Sequence, residues 1–307
     1  MNEPLALIMA LSIINDIQQG KIKPIARAIS MIENETEGFE ELLQSLPANS
    51  ATNVIGITGP PGAGKSTLVD ALIGQLKSAG KKVAVLCIDP SSPFNLGAVL
   101  GDRIRMSSWY TSPDVFIRSL ATRGSLGGLH PKIIEITNLL QAAGFDYILV
   151  ETVGVGQSEV EIAGLADVTV VVVVPEGGDE VQTMKAGLME IADIFVVNKS
   201  DRPNADQFVS NLQLMLAPAF HSHHDPIPII KTVASENKGI SELAEKISDL
   251  LSHHKQNDNR FWLITERAYQ LIGKKRMKGI AKEELKNRIK DLDSKGRFNL
   301  YQFIKDY

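Results

Sequence analysis

Seven short apolar runs, separated by stretches long enough for helices, restrict this chain more than any other feature. They are VIGIT (Val54–Thr58), VAVLCI (Val83–Ile88), VFIRS (Val115–Ser119), YILV (Tyr147–Val150), VTVVVVV (Val168–Val174), IFVVN (Ile194–Asn198) and IPIIK (Ile227–Lys231). Their β-branched and apolar residues follow one another instead of alternating with polar ones. Strands of that kind are covered on both faces, as in a parallel sheet between two helical layers. Helices are expected between the runs, among them Lys65–Ala79 and Pro131–Ala143, with Gly80 and Gly144 at their ends. Glycine is the usual residue just past a helix C-terminus. The expected fold class is therefore α/β, with a mostly parallel central sheet flanked by helices.

The ends of the chain read differently. Residues 1–50 carry short amphipathic patterns over Ala6–Gln18, Pro24–Glu33 and Phe39–Leu46, followed by a polar break at Leu46–Thr52. After His253 the strand signals stop. Residues 258–307 read as two or three helices with breaks near Gly273, Gly279 and Ser294–Gly296. The expected division is a helical N-terminal extension (1–50), a nucleotide-binding α/β domain (51–255) and a C-terminal helical arm (256–307).

Composition narrows the function classes. The net charge of −4 over 307 residues gives no global nucleic-acid signature. The C-terminal stretch Arg260–Tyr307 holds 13 Lys/Arg against 6 Asp/Glu. Solvated helix faces account for that excess, and a contact to an acidic partner or a second subunit is the alternative. A single cysteine, Cys87, excludes an intrachain disulfide and a cysteine-based zinc or iron–sulfur site. It lies in an apolar run and reads as a buried strand residue. No uninterrupted apolar run reaches the length of a membrane span, and the N-terminus lacks a basic leader. A soluble, cytoplasmic protein is expected.

Three motifs carry chemistry. Gly59-Pro60-Pro61-Gly62-Ala63-Gly64-Lys65-Ser66 fits G-x-x-x-x-G-K-S/T between a strand and a helix, with Thr67 next. Its glycines let successive N–H groups face phosphate oxygens, and the helix start adds a positive dipole end. Lys65 is placed for the β- and γ-phosphates and the Ser66 hydroxyl for Mg²⁺. This makes the fold a P-loop NTPase. Asn198-Lys199-Ser200-Asp201 follows the strand IFVVN. A carboxylate at Asp201 accepts from guanine N1–H and the 2-amino group, a donor pair that adenine lacks. GTP and GDP are the expected ligands. Glu151-Thr152-Val153-Gly154 follows YILV, so Glu151 suits a magnesium-side carboxylate and Gly154 a backbone N–H facing the γ-phosphate. Asp89, at the end of VAVLCI, is a second such carboxylate. The crowded His221, His223, His224, His253 and His254 lack a defined ligand spacing and read as surface residues. Trp109 and Trp262 read as packing residues.

These stretches and their surroundings resemble the methylmalonyl-CoA mutase-associated GTPases, the MeaB/ArgK group of the G3E P-loop GTPases. The resemblance rests on GITGPPGAGKST (Gly56–Thr67), IDPSSP (Ile88–Pro93), LGDRIRM (Leu100–Met106), IRS…TRGSLGGL (Ile117–Leu129), GFDYILVETVGVGQSE (Gly144–Glu159) and GDEVQTMKAGLMEIADIFVVNKSD (Gly178–Asp201). It implies that Asp89, Asp102 and Glu151 join Ser66 around Mg²⁺. It implies that the loop Gly177–Lys185 senses a partner enzyme, with Lys185 moving toward the phosphates. It also implies a homodimer through the C-terminal helices. The partner so implied is an adenosylcobalamin-dependent acyl-CoA mutase, whose cofactor loading the GTPase gates and protects. The chain departs from the family at Phe94–Gly97, where a paired glycine is usual. It departs again at the base loop, which reads Val233-Ala234-Ser235 instead of Ser-Ala. Backbone N–H groups of that loop would still reach the guanine carbonyl. Other functions fit less well. A nickel-insertion GTPase would want Cys pairs or a His-rich tail. A transport-linked kinase of basic amino-acid uptake would want ATP and an acceptor site. A non-hydrolysing binding module is at odds with a complete P-loop plus Glu151. Gln157 and Lys185 are the candidates for positioning the attacking water.

Overall fold

A computed structural model describes residues 13–47, 52–89, 106–122, 129–154, 158–176, 186–216, 226–253 and 258–307. All seven apolar runs form strands: β1 (Asn53–Thr58), β2 (Val83–Asp89), β3 (Val115–Ala121), β4 (Tyr147–Glu151), β5 (Val168–Val173), β6 (Ile194–Val197) and β7 (Ile229–Lys231). They make one sheet in the order β3-β2-β4-β1-β5-β6-β7, and every neighbouring pair is parallel. Parallel neighbours need crossovers on the sheet faces, and the sequence supplies helices for them. In chain order the α-helices described alongside the sheet are α1 (Ile22–Asn34) and α2 (Phe39–Gln44), which precede β1, the connecting helices α3 (Lys65–Ser78), α4 (Ile133–Ala142), α5 (Ser158–Leu165), α6 (Ala186–Ile191) and α7 (Ala205–Leu216), and α8 (Ile240–Ser252), which follows β7. Gly80 and Gly144, just past α3 and α4, both hold φ +73°. Residues 13–18 are also helical.

Strand alternation divides the apolar residues between two layers. On one face Ile55, Ile57, Val85, Cys87, Leu149 and Val170 pack against Leu68, Leu72 and Ile73 of α3 and Leu243 and Ile247 of α8. On the other, Val54, Leu86, Ile148 and Val150 meet Ile136 and Leu140 of α4, Ile162 of α5 and the N-terminal helices. A third cluster, around Phe195, Val171 and Val197, is closed by Phe208 and Leu212 of α7. Cys87 is fully buried in its strand. Helix α1 joins the second face through Ile25, Ala28, Ile29 and Ile32, an i, i+3, i+4, i+7 stripe with no exposed surface. Beside that stripe Glu33 pairs with Arg118 of β3, and Lys132 reaches Glu35 at 2.7 Å.

Residues up to Phe261 form one compact unit and Trp262–Tyr307 a second. The C-terminal helices are α9 (Asp258–Arg276), α10 (Lys282–Ser294) and α11 (Leu300–Phe303). The expected break at Gly273 is absent, because α9 runs through it. A glycine inside a helix costs only about 1 kcal/mol relative to alanine, which good helix formers on either side offset. The breaks at Gly279 and at Lys295–Gly296 are present. In the second unit Arg288 stacks on the rings of Phe303 and Tyr307 at 5.3 and 5.2 Å. Many of its large apolar residues face solvent, with Tyr269 and Tyr301 each 76% exposed and Trp262 54%. Among the described residues no helix is long and apolar enough to cross a membrane.

Gly56, in the middle of β1, marks the tightest helix-to-sheet approach. A Cβ there would lie 2.6 Å from Ile162 Cγ1 and 3.0 Å from Ala166 Cβ. Gly56→Ala is therefore expected to push α5 off the sheet and destabilise the protein by about 1–3 kcal/mol. Urea unfolding of the variant beside the wild type measures this.

Candidate functional site

Because every strand is parallel, all C-terminal strand ends lie on one edge of the sheet. That edge collects the sequence motifs. The loop Gly59–Gly64 leaves β1, Glu151 ends β4, Asp89 ends β2, Asn198 follows β6, and Val233–Ser235 follow β7. In open α/β sheets, ligands bind outside such carboxyl ends, where the chain order switches direction. Here the switch is at β1, with β2–β4 on one side and β5–β7 on the other.

The phosphate loop curls into helix α3, which starts at Lys65. Gly64 holds φ +87°, and a Cβ there would stand 2.4 Å from Asn198 Nδ2. Only glycine meets both demands. The Lys65 ammonium donates to the carbonyls of Gly59 at 2.9 Å and Pro60 at 3.0 Å, so it lies within its own loop. Gly154 approaches from the other side at φ +85°. A Cβ there would come within 2.2 Å of Gly59 O and 2.6 Å of Lys65 Nζ. The Glu151–Gly154 segment is thus pressed against the P-loop.

The Ser66 hydroxyl donates to Glu151 Oε1 at 2.7 Å, and both side chains are buried. Register explains why Asp89 belongs with them. Cys87 pairs with Glu151 across β2 and β4, so Asp89, two residues on, leaves the sheet on the same face. That face carries α3 and Ser66. One hydroxyl and two buried carboxylates are hard oxygen donors of the kind magnesium takes beside phosphate. Among the described residues no three His, Cys, Asp or Glu converge as a metal site of their own. The chemistry of the Ser66, Asp89 and Glu151 oxygens fits a cation shared with a bound phosphate.

The base-side loop is a network around Asn198. Its amide donates to Ala63 O at 2.9 Å, while its Oδ1 accepts from Thr232 Oγ1 at 3.1 Å and Ala234 N at 3.2 Å. One buried side chain thereby ties the P-loop to the loop after β7. Lys199, at φ +57°, donates from Nζ to Gly62 O at 2.8 Å. Val233 N–H donates to Lys238 O at 3.1 Å, and Ala234–Glu236 form a 3₁₀ turn. Asp201, three residues after Asn198, is exposed. The Glu236 carboxylate, and more weakly Asp201, hold the Lys238 ammonium above its usual pKa.

Several of these contacts have no sequence signal. The Lys199–Gly62 and Asn198–Ala63 bonds join residues more than a hundred positions apart. Arg202, beside Asp201, pairs with Glu176 at the exit of β5, and that pairing lowers the Glu176 pKa. A hydroxyl pair, Thr58 and Thr152, is also unsignalled. Asp102, Gln157 and the loop Gly177–Lys185 with Lys185 lie outside the described residues, as do His221, His223, His224 and His254. His253 is exposed and bonded to its own helix. Trp109 is a packing residue, its ring against Gly74 and its Nε1 donating to Asp70 at 2.6 Å.

A phosphate loop opening a helix, a carboxylate bonded to its serine and an Asn-Lys-x-Asp loop at one edge of a parallel sheet define a P-loop GTPase. The comparisons carry this to a family. Residues 25–293 match the family described as methylmalonyl Co-A mutase-associated GTPase MeaB, and the chain belongs to that family. A Pyrococcus abyssi protein named as a GTPase is 49% identical over 241 residues, covering 77% of this chain and 74% of the relative. GTPase ArgK of Escherichia coli is 37% identical over 246 residues, covering 77% and 74%. The mouse mitochondrial methylmalonic aciduria type A homolog is 32% identical over 276 residues, covering 80% and 66%. A solved structure titled LAO/AO transport system kinase superposes with a TM-score of 0.67 at 26% identity, covering 100% of this chain and 97% of that one. The chain is a GTP hydrolase of the G3E type and binds guanine nucleotides.

Asn198→Ala removes the joint between the P-loop and the β7 loop and strands buried partners. It is expected to destabilise the nucleotide-free protein by about 1–3 kcal/mol and to weaken GDP binding in parallel. Thermal unfolding and calorimetry with GDP check both.

Proposed function

We propose that this GTPase is the chaperone of an adenosylcobalamin-dependent acyl-CoA mutase, gating cofactor loading and protecting the loaded enzyme. The observation that carries the proposal is the match of residues 25–293 to a family described by its association with methylmalonyl-CoA mutase. The likeness to the mouse methylmalonic aciduria homolog supports it. The names of ArgK and of the LAO/AO kinase keep a second reading in view, an NTPase linked to basic amino-acid transport. Asp201, which suits guanine over adenine, favours the first.

In this reading Gly59–Thr67 wrap the phosphates, and Lys65 leaves its loop carbonyls for the β- and γ-oxygens. Gly154 N–H faces the γ-phosphate. Asn198, Lys199 and Asp201, with the backbone of Val233, Ala234 and Ser235, hold the base. Ser66, Asp89, Glu151 and Asp102 form the magnesium side. Bound there, Mg²⁺ would offset charge on the β- and γ-oxygens during hydrolysis. The hydrogen bond from Ser66 to Glu151 at 2.7 Å, which sets their oxygens side by side, supports this reading. Lys185 is the residue that moves toward the phosphates when the mutase docks, adding positive charge where the transition state needs it. The helical segment 256–307, rich in exposed apolar residues, serves as a homodimer arm. The working location is the cytoplasm.

The test is turnover with and without saturating mutase. Wild-type hydrolysis is expected to rise with the mutase. Lys185→Ala should keep its basal rate and its complex with the mutase but lose most of the stimulation. A mutase that neither binds in the GDP or GTP-analogue state nor changes turnover would overturn the proposal.

A further inference from the structure

The contact between the P-loop and the Glu151–Gly154 segment has a second fastening, on the opposite face of the sheet from Ser66 and Glu151. Strands β1 and β4 run side by side, and their register ends at Ile57 opposite Glu151. One more ladder bond follows, from Thr152 N–H to Ile57 O at 3.0 Å. Beyond it the two chains turn into separate loops. At this last step Thr152 Oγ1 donates to Thr58 Oγ1 at 2.9 Å. Both threonines are buried, at 2% and 0% exposure.

Their placement follows from alternation. Ile57 lines the α3 face, so Thr58 points to the other. Ile148 and Val150 line that other face, so Thr152 points the same way as Thr58. Glu151 is thus held from the α3 face by Ser66, and its neighbour Thr152 is held from the opposite face by Thr58. Thr58 directly precedes the first P-loop residue, and Thr152 lies two residues before Gly154. Any slack here reaches both loops at once. A change of about an ångström at a positioned catalytic group is enough to cost a large factor in rate.

We infer that the Thr58–Thr152 hydroxyl pair is a positioning device that fixes the Glu151–Gly154 loop against the P-loop for GTP hydrolysis. The pair acts through Glu151 and Gly154 and does not itself meet nucleotide. The inference rests on the placement of Glu151 at the magnesium side proposed above.

Valine is the isostere of threonine without the hydroxyl, and two valines can replace a buried bonded pair at little cost in stability. A single valine leaves the other hydroxyl buried and without its partner, so each single variant should melt lower. The double variant Thr58→Val/Thr152→Val should recover most of that melting temperature. Turnover is expected to separate from stability. The kcat for GTP should fall about tenfold in Thr152→Val, stay down in the double variant, and return in Thr152→Ser, which restores the hydroxyl. The magnesium needed for half-maximal turnover should rise in the valine variants, while GDP affinity in EDTA stays within about twofold of wild type.

Recovery of kcat together with stability in the double variant would show the pair to be packing alone and overturn the inference. So would wild-type kcat in Thr152→Val, or equal loss in Thr152→Val and Thr152→Ser. Glu151→Gln, measured alongside, keeps the two claims apart. An unchanged magnesium requirement in that variant would contradict the placement of Glu151, whereas the divergence of kcat from stability speaks to the threonines alone.

Discussion

Two-sided burial of a parallel sheet is the constraint on which this molecule depends. A sheet whose strands carry Val, Ile and Leu on both faces cannot face water on either, so each connection must return as a covering helix. That requirement sends every loop following a strand to the same edge. Five loops that lie far apart in the chain then meet within one site. The continuous VTVVVV of β5 and the glycine at 56 on β1 serve the same end. The first demands cover on both sides, and the second lets α5 come close enough to provide it.

The site is built from polar groups that this burial would penalise if they stood alone. A buried amide or carboxylate without partners costs several kcal/mol. Several groups here meet partners within the site, while Asp89 Oδ2 and Glu151 Oε2 accept no hydrogen bond among the described residues. Asn198 uses both ends of its amide between two loops, and Ser66 and Glu151 hold each other. Lys65 takes loop carbonyls as acceptors. The Asn198 and Ser66 bonds join segments that lie far apart in the chain at one edge of the sheet.

Much of this was legible in the chain, and the reasons are physical. Seven strands were readable because burial on both faces writes itself as unbroken β-branched runs. The P-loop was readable because phosphate binding fixes glycine, lysine and serine at set intervals. Helix α1 was readable from its stripe of Ile25, Ala28, Ile29 and Ile32, although its docking against the sheet face beside Phe116 and Leu139 was not. What stayed hidden depends on register. Nothing in the spacing pairs Thr58 with Thr152, Lys199 with Gly62 or Arg202 with Glu176, because those distances are set by strand order. Gly273 was misleading for the opposite reason: a local preference of about 1 kcal/mol is overridden by a helix that has other support. Asp102 carries no local signal, and it lies outside the described residues.

The central claim is that one edge of the sheet binds phosphates at Lys65 and a guanine base at Asp201 in a single nucleotide. Exchange of the base tests it most directly. Xanthine has a carbonyl where guanine has its amino group, and an asparagine amide can donate to it. Asp201→Asn is therefore predicted to hydrolyse xanthosine triphosphate in preference to GTP, and adding Lys65→Ala to that variant should abolish the new activity. An Asp201→Asn protein that keeps the wild-type preference for GTP would contradict the account.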